Sequence, residues 1–207
     1  MLLHGIEHAY STVMPVLFPL IQDELSLTYS QIGVVASAFV LTLGGLQFVP
    51  TILSQLFLRK TLLAYGMLLM AIMFTLTGSA QTFEQLLIFQ LIAGFGACMY
   101  HPLGASFLSE RFSHEKRGRV MGLSLTGGNL GSVLTPIFAS SIAISLGWRS
   151  TLLAFAILGV IASLMFWPLV EEKREKRIQS ALTQSISREL ISTVMKRSII
   201  IPIIVTG

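Results

Sequence analysis

The sequence predicts an all-α membrane protein with six transmembrane helices. The chain is 53% hydrophobic and 12% charged, and its mean hydropathy is +0.76. A soluble domain has about 25% charged residues, so this chain lacks the surface charge of a globular protein in water. Six apolar runs are long enough to cross roughly 30 Å of hydrocarbon as helices. The basic residues fall almost entirely in alternate breaks between these runs.

The six apolar runs follow one another with short polar breaks. Backbone groups in lipid have no water to bond, so a run of this length satisfies them internally as a helix. Residues 1–170 are therefore predicted to form one transmembrane bundle. The predicted helices cover residues 5–21, 32–58, 62–80, 83–108, 120–146 and 151–170.

The residues after the sixth run have a different pattern. Residues 171–197 are basic, and apolar side chains recur at every fourth position from Ile178 to Val194. This spacing predicts an amphipathic linker helix on the cytoplasmic membrane surface, with a linker that packs against nothing as the equal alternative. Residues 198–207 are apolar but too short to cross, and they are predicted to be the truncated start of a seventh helix.

The positions of the basic residues predict the orientation. With a cytoplasmic N-terminus and alternating helices, every Lys and Arg except Arg149 lies on the cytoplasmic side. Cytoplasmic loops are enriched in these residues, so we expect a multi-pass protein of the cytoplasmic (inner) membrane. Topology thus explains the net charge of +4, and no nucleic-acid partner is expected. The cytoplasmic loops contain Arg59, Lys60, Arg117 and Arg119.

Polar residues distinguish four of the predicted helices from the other two. Helices 1, 2, 4 and 5 carry polar stripes, which in a membrane face the bundle interior or a water-filled path. Helices 3 and 6 are apolar all round and are predicted to lie against lipid. The order polar, polar, apolar therefore occurs twice. Because three is odd, the two units have opposite orientations, which predicts a 3+3 inverted repeat of the kind transporters use.

The polar stripes predict a substrate and proton pathway near the midplane. In helix 1, His4, Glu7 and His8 share one face through their three- and four-residue spacing. A histidine titrates near neutral pH, and a paired carboxylate completes a proton relay. The alternative is that these groups only hydrogen-bond to one another and hold the helices together. The predicted pathway residues are Glu7, His8, Gln47, Gln90, His101 and Asn129.

Glycines and prolines in helices 4 and 5 predict close helix packing and gating. Small residues allow helix backbones to approach in lipid. The glycines match neither a phosphate loop nor a dinucleotide fingerprint, so no cofactor is expected. The residues concerned are Gly94, Gly96, Pro102, Gly104, Gly127, Gly128, Gly131 and Pro136.

The first helix also contains a metal-binding pattern. Residues His4 to His8 match the H-x-x-E-H signature of some zinc peptidases. A peptidase would also require a third ligand and a soluble cleft, so the chain is not expected to be an enzyme or to hold a metal. A metal-ion carrier that uses His4, His8 and His101 is a further alternative.

Several motifs resemble one half of a major facilitator superfamily transporter. They are His101-Pro102-x-Gly104, Arg117-Gly118-Arg119, Met121-Gly122, Gly127-Gly128-Asn129 and Gly147-Trp148-Arg149. Within that superfamily the series is most similar to the fosmidomycin-resistance-type efflux group. The resemblance implies a twelve-helix transporter that works by alternating access, with a small-molecule substrate, protons as coupling ion and the polarity of an efflux antiporter. It also implies that a C-terminal six-helix half is missing from this chain.

Two positions depart from the pattern of the superfamily. The loop after helix 2 usually reads G-x-L-x-D-R-x-G-R-[RK], but residues 51–60 lack its glycines, its acid and its first Arg. Gln90 stands where the family has an Arg associated with proton coupling. These departures leave a non-transporting remnant or sensor, and a homodimer of halves, as alternatives.

Overall fold

The computed structural model describes residues 1–172, which form seven helices. The compact helical unit comprises Met1–Val170. The predicted seventh helix, and all of the predicted linker beyond residue 172, lie outside the described residues. The helices are α1 Leu2–Leu25, α2 Tyr29–Gly45, α3 Phe48–Leu56, α4 Arg59–Ser79, α5 Phe83–Cys98, α6 Tyr100–Arg111 and α7 His114–Leu169.

Prolines divide two of the predicted spans into pairs of helices. The run 32–58 forms α2 and α3, which meet at an angle of 51°. Pro50 has no N–H to donate to the carbonyl of Leu46, four residues earlier, and its ring crowds that carbonyl, so the helix breaks there. Pro102 likewise cannot donate to the carbonyl of Cys98, four residues earlier, and α5 ends at Cys98. Each break therefore lies four residues before a proline.

The long helix α7 contains the predicted boundary between the fifth and sixth spans. Gly147 has φ 83° and ψ 163°, which a residue with a side chain rarely adopts. We call residues 114–146 the α7 N-arm and residues 148–169 the α7 C-arm. The break that the sequence predicts at residues 147–150 is present, although the helical hydrogen bonding continues close to it.

The helices pack in a small set of pairs. α1 packs against both arms of α7, α4 packs against α5 and the α7 C-arm, and α2 packs against α5. The hydroxyl of Tyr10 in α1 donates to the carbonyl of Phe155 in the C-arm at 3.0 Å. The buried core consists mainly of apolar side chains from α1, α4, α5 and the C-arm. Large apolar side chains such as Tyr65, Ile144 and Leu164 are exposed on the outside of the bundle, as expected for a lipid-facing surface.

Most of the helices, taken singly or in pairs, are long and apolar enough to cross a membrane. Within the described residues, three helical stretches meet criteria of length and hydropathy, namely α4, α5 with α6, and α7, and the bent pair α2–α3 makes a fourth. The α1 helix has 24 residues and spans about 36 Å at 1.5 Å per residue. Its ionisable residues His4, Glu7 and His8 lower its hydropathy, so α1 does not meet the same criteria.

Backbone contact between glycines brings α1 against the α7 N-arm. A Cβ atom on Gly131 would lie 2.8 Å from the carbonyl carbon of Gly5 and 2.9 Å from its Cα. Gly66 in α4 and Gly96 in α5 make a similar contact, with each Cβ position under 3 Å from the other's carbonyl oxygen. Gly131 and Gly96, predicted as packing positions, thus lie where helix backbones approach each other.

We expect Gly131→Ala to lower the thermal stability of the complete protein. The added methyl group meets rigid backbone, and overpacking of this kind costs about 1–3 kcal/mol. Gly122→Ala is the matched control, because it lies on the same helix and its Cβ would have no neighbour within 4 Å. Thermal unfolding in detergent measures the difference. Equal melting temperatures for the two variants would contradict the contact.

At the end of the bundle away from the N-terminus, an ion pair joins three helices. Arg149 donates from Nε and Nη2 to Glu24 Oε1 at 3.0 and 2.8 Å, and from Nη1 to the carbonyl of Gly78 at 2.7 Å. Trp148 Nε1 donates to Glu24 Oε2 at 2.7 Å. Hydrogen bonds from Arg149 and then from Trp148 hold the pKa of Glu24 below its ordinary value of 4.5. We call these four residues the Glu24 clasp.

The Glu24 clasp predicts an acid-sensitive contribution to stability. Because folding lowers the pKa of Glu24, its contribution is present above the ordinary carboxyl pKa and is lost as the pH falls through the lowered value. Glu24→Gln should therefore lower the melting temperature at pH 7 by the small amount typical of an exposed pair, and the deficit should shrink in acid. Asp23→Asn, at the exposed neighbouring acid, is the control. A deficit that stays constant across a pH series would argue against the clasp.

Candidate functional site

Three histidines and one glutamate meet near the N-terminal end of α1. His4, Glu7 and His8 project from one face of α1, because residues three and four apart lie on the same side of a helix. His101 reaches them from the first turn of α6, just after the break at Met99. Of the predicted pathway residues, Glu7, His8 and His101 therefore lie together, and His4 lies beside them. We call these four residues the His–Glu cluster.

Glu7 is the buried centre of the His–Glu cluster. Its side chain is 1% exposed, whereas those of His8 and His101 are 30% and 38% exposed. Oε1 lies 3.7 Å from His101 Nε2, and Oε2 lies 3.8 Å from His8 Nε2. Ser11 donates weakly to Oε1 at 3.5 Å, while Oε2 has no hydrogen-bond partner among residues 1–172. A buried carboxylate with an unpaired oxygen is costly, so a proton or a cation near it would be stabilised.

Hydrogen bonds from the α7 N-arm orient two of the imidazole rings. His4 Nδ1 lies 2.9 Å from the carbonyl oxygen of Ser124, which can only accept. In the neutral ring the proton therefore sits on Nδ1, and Nε2 keeps its lone pair. His8 Nδ1 lies 2.9 Å from Ser132 Oγ. The α7 N-arm thus engages Nδ1 of both rings and leaves their Nε2 atoms for other partners.

Aromatic contacts pack the rings against one another. The His4 ring stacks on Tyr100 with a centroid separation of 4.8 Å. Edge contacts connect His4 with His8 at 4.7 Å, His4 with His101 at 5.8 Å, and His8 with His101 at 6.0 Å. The three imidazoles therefore surround one small volume beside Glu7.

Glycines of the α7 N-arm give the histidines room. A Cβ atom on Gly128 would lie 3.1 Å from His8 Cδ2 and 3.2 Å from His4 Cδ2. A Cβ on Gly127 would meet the backbone of Met1 at 2.6 Å. Of these two predicted packing positions, Gly128 therefore borders the cluster, whereas Gly127 packs against the start of α1.

Three of the predicted pathway residues lie apart from the cluster. Gln47 is exposed at the bend between α2 and α3, and Asn129 is exposed on the α7 N-arm, next to Gly128. Gln90 is buried and donates to Thr77 Oγ1 at 3.1 Å, which links α5 to α4. Gln90 also lines a cavity of about 80 Å³ between α1, α2 and α5, whose wall includes Ser11.

Most of the remaining predicted positions have structural contacts, and two are exposed. Arg59 forms an ion pair with Glu110 at the end of α6. Arg117 Nε donates to the carbonyl of Phe112 at 3.2 Å, and Arg119 is exposed. The Tyr100 ring packs where a Cβ on Gly104 would lie, 3.3 Å away. Gly94 packs against Phe39 and Thr42 of α2, while Pro136 is exposed within α7.

Sequence reasoning did not identify Tyr100 and Ser132 as parts of the site. Ser124, Gly128 and Ser132 recur every four residues, which places them on one helical face. That spacing would have indicated a small, polar strip opposite α1. Tyr100 has no comparable signal, because its contact with His4 depends on how α6 meets α1.

Comparison with known proteins identifies the family. The chain matches the family model of the Major Facilitator Superfamily over residues 5–207. It is similar to the hexuronate transporter of Bacillus subtilis (strain 168), with 25% identity over 85% of this chain and 42% of that protein. It is also similar to the fosmidomycin resistance protein of Escherichia coli (strain K12), with 26% identity over 84% of this chain and 43% of that protein.

A solved structure shows the same fold. The crystal structure of a bacterial homolog of the human lysosomal transporter Spinster, in an inward-facing and occupied conformation, matches with a TM-score of 0.76 and 19% identity. That match covers 83% of this chain and 43% of the solved chain. The chain thus spans less than half the length of these relatives. On the match to nearly its whole length, the chain belongs to the Major Facilitator Superfamily.

Proposed function

We propose that this chain is the N-terminal half of a proton-linked secondary transporter that exports a small molecule by alternating access. The observation that carries the proposal is Glu7, a buried carboxylate that faces two partly exposed histidines. Ionisable groups inside a membrane bundle are rare and mark ion or substrate paths. Membrane transport of small molecules follows from the family. Proton coupling, export and alternating access are the proposed refinements.

The pairing of helices supports six crossings arranged as a 3+3 inverted repeat. The six spans are α1, α2–α3, α4, α5–α6, the α7 N-arm and the α7 C-arm. Spans 1 and 4 occupy equivalent places, because span 1 packs against spans 5 and 6, and span 4 packs against spans 2 and 3. Span 3 packs against span 6, so the third span of one unit contacts the third span of the other. Exchanging the first three spans with the last three therefore reproduces the same pairs, as an inverted repeat requires.

Helix directions agree with alternating crossings. His4 contacts Ser124 and His8 contacts Ser132, so α1 and the α7 N-arm run parallel. Tyr10 contacts Phe155 and Glu24 contacts Trp148, so α1 and the C-arm run antiparallel. These are the directions of spans 1, 5 and 6 in a chain that crosses the membrane at each span.

The distribution of charge supports a cytoplasmic N-terminus in the cell membrane. The pair Arg59–Glu110 places the start of α4 at the same end of the bundle as the end of α6. The contact of His4 with Ser124 places the start of α1 beside the first part of α7, which follows α6. That end carries the basic residues around Arg59 and Arg111, whereas the opposite end carries Arg149, which is paired with Glu24. Basic residues concentrate on the cytoplasmic side, so the His–Glu cluster lies near the inner mouth of the bundle.

The His–Glu cluster supplies a short path for protons. His8 and His101 are open on one side and lie within 4 Å of a Glu7 oxygen on the other. A proton taken up by an imidazole can pass to the carboxylate when the two groups close to hydrogen-bond distance. Ser11 connects Glu7 to the cavity lined by Gln90, which extends the polar path toward the middle of the bundle. Asn129 and Gln47 are proposed to face substrate rather than the proton path.

Efflux is proposed from the resemblance and from the names of relatives. The fosmidomycin resistance protein and the multidrug resistance protein 3 of Bacillus subtilis (strain 168) are named for resistance, and the latter is 30% identical over 70% of this chain. Another relative is named as a hexuronate transporter. These names define a first set of test substrates, namely fosmidomycin and a hexuronate.

We expect Glu7→Gln and His101→Ala to reduce pH-gradient-driven flux to background. Either change removes one of the groups that hold the transferred proton. The measurement uses the complete protein in liposomes with a trapped pH dye, to which fosmidomycin or glucuronate is added. His114→Ala is the matched control, because His114 is an exposed histidine at the start of α7. Wild-type flux rates in both pathway variants would overturn the assignment of the proton path.

A further inference from the structure

The buried carboxylate of Glu7 does not hydrogen-bond directly to His8 or His101. Oε2 has no hydrogen-bond partner within residues 1–172, and the nearest imidazole nitrogens lie at 3.7 and 3.8 Å from the carboxylate. These separations exceed the usual 2.7–3.2 Å of an N–H···O bond. Carboxylate and imidazoles therefore face one another across a gap instead of bonding directly.

The gap is somewhat wider than an occupied metal site. One donor atom each from His4, Glu7 and His101 can be chosen so that all three lie within 4.8 Å of one another. Tetrahedral zinc with bonds of about 2.0–2.1 Å places its ligand atoms about 3.3 Å apart. The His101–Glu7 pair, at 3.7 Å, is already close to that spacing, and the widest pair must close by roughly 1.5 Å.

The surroundings of the histidines are those of metal ligands. A histidine that binds a metal usually donates its other N–H to a carbonyl or a carboxylate, which fixes its tautomer. His4 does this through Nδ1 and the carbonyl of Ser124, so its Nε2 lone pair is available. His8 holds Ser132 through Nδ1, and its Nε2 points toward Glu7. Both rings are therefore oriented before any ion binds.

We propose that His4, Glu7 and His101 bind a divalent transition-metal ion such as Zn²⁺, with His8 beside them as a fourth donor. Imidazole nitrogens with one carboxylate suit Zn²⁺ and its transition-metal neighbours, while Mg²⁺ and Ca²⁺ prefer sites made of oxygen atoms. The ion gives the buried Glu7 carboxylate an oppositely charged partner. The exposed edges of His8 and His101 give the ion a way in from the N-terminal end of the bundle. Metal binding does not require that the chain transports protons or any other substrate.

Zinc titration of the complete protein tests the site. The protein is purified with an affinity tag that contains no histidine, and Zn²⁺ binding is measured calorimetrically against Mg²⁺. We expect one Zn²⁺ per chain and no competition from Mg²⁺. Loss of a ligand's hydrogen-bond partner typically weakens metal affinity 10–100-fold, so Glu7→Gln and His101→Ala should weaken it by about 100-fold or more. His114→Ala, which removes the remaining histidine of the chain, should leave affinity unchanged.

Cobalt provides a second test that needs no variant. Co²⁺ bound by two or three imidazoles and a carboxylate gives the intense visible absorption of a tetrahedral complex, and Zn²⁺ should displace it stoichiometrically. Absence of saturable Zn²⁺ binding to the unaltered protein would overturn the proposal. So would binding that persists in Glu7→Gln and His101→Ala but disappears in His114→Ala. Failure of the flux assay, by contrast, would bear on proton transport and not on this site.

Discussion

The backbone contact between α1 and the α7 N-arm determines the positions of most groups in the His–Glu cluster. Gly5 and Gly131 approach so closely that no side chain fits between them. That approach brings His4 to the carbonyl of Ser124 and His8 to the hydroxyl of Ser132. In lipid there is no hydrophobic driving force between helices, so close packing of small residues must supply the association. The histidine hydrogen bonds therefore depend on the glycine contact, because without that close approach His4 and His8 would not reach Ser124 and Ser132.

A second constraint is the local break at Met99, which separates α5 from α6 within one span. Pro102 removes the hydrogen bond to Cys98, and the resulting break at Met99 presents Tyr100 and His101 toward α1. The proline next to His101 is thus part of the site, although its ring makes no polar contact there. Pro50 has the same backbone effect between α2 and α3, within the second span.

The sequence predicts the cluster where spacing along one helix is sufficient, and fails where rotation between helices decides. His4, Glu7 and His8 share a face of α1 by periodicity alone, and the depth of His101 follows from helical rise. Asn129 has the right depth, yet it points away while its neighbour Gly128 faces the histidines. The rotation of the α7 N-arm depends on which glycines meet Gly5, and periodicity does not state that. The same limit hid the contact of Tyr100 with His4.

The two acids of α1 show how a structural group differs from a functional one. Glu24 is exposed to water, and Arg149 and Trp148 satisfy both of its oxygens. Glu7 is buried, and one of its oxygens has no hydrogen bond within the described residues. Water screens the first acid and limits what it contributes, whereas burial makes the second unfavourable unless something binds to it. Proteins break local rules mainly where function requires it, so the incompletely satisfied acid is the one expected to exchange a ligand. Because both acids belong to one continuous helix, the Glu24 clasp holds α1 in place while the groups around Glu7 exchange theirs.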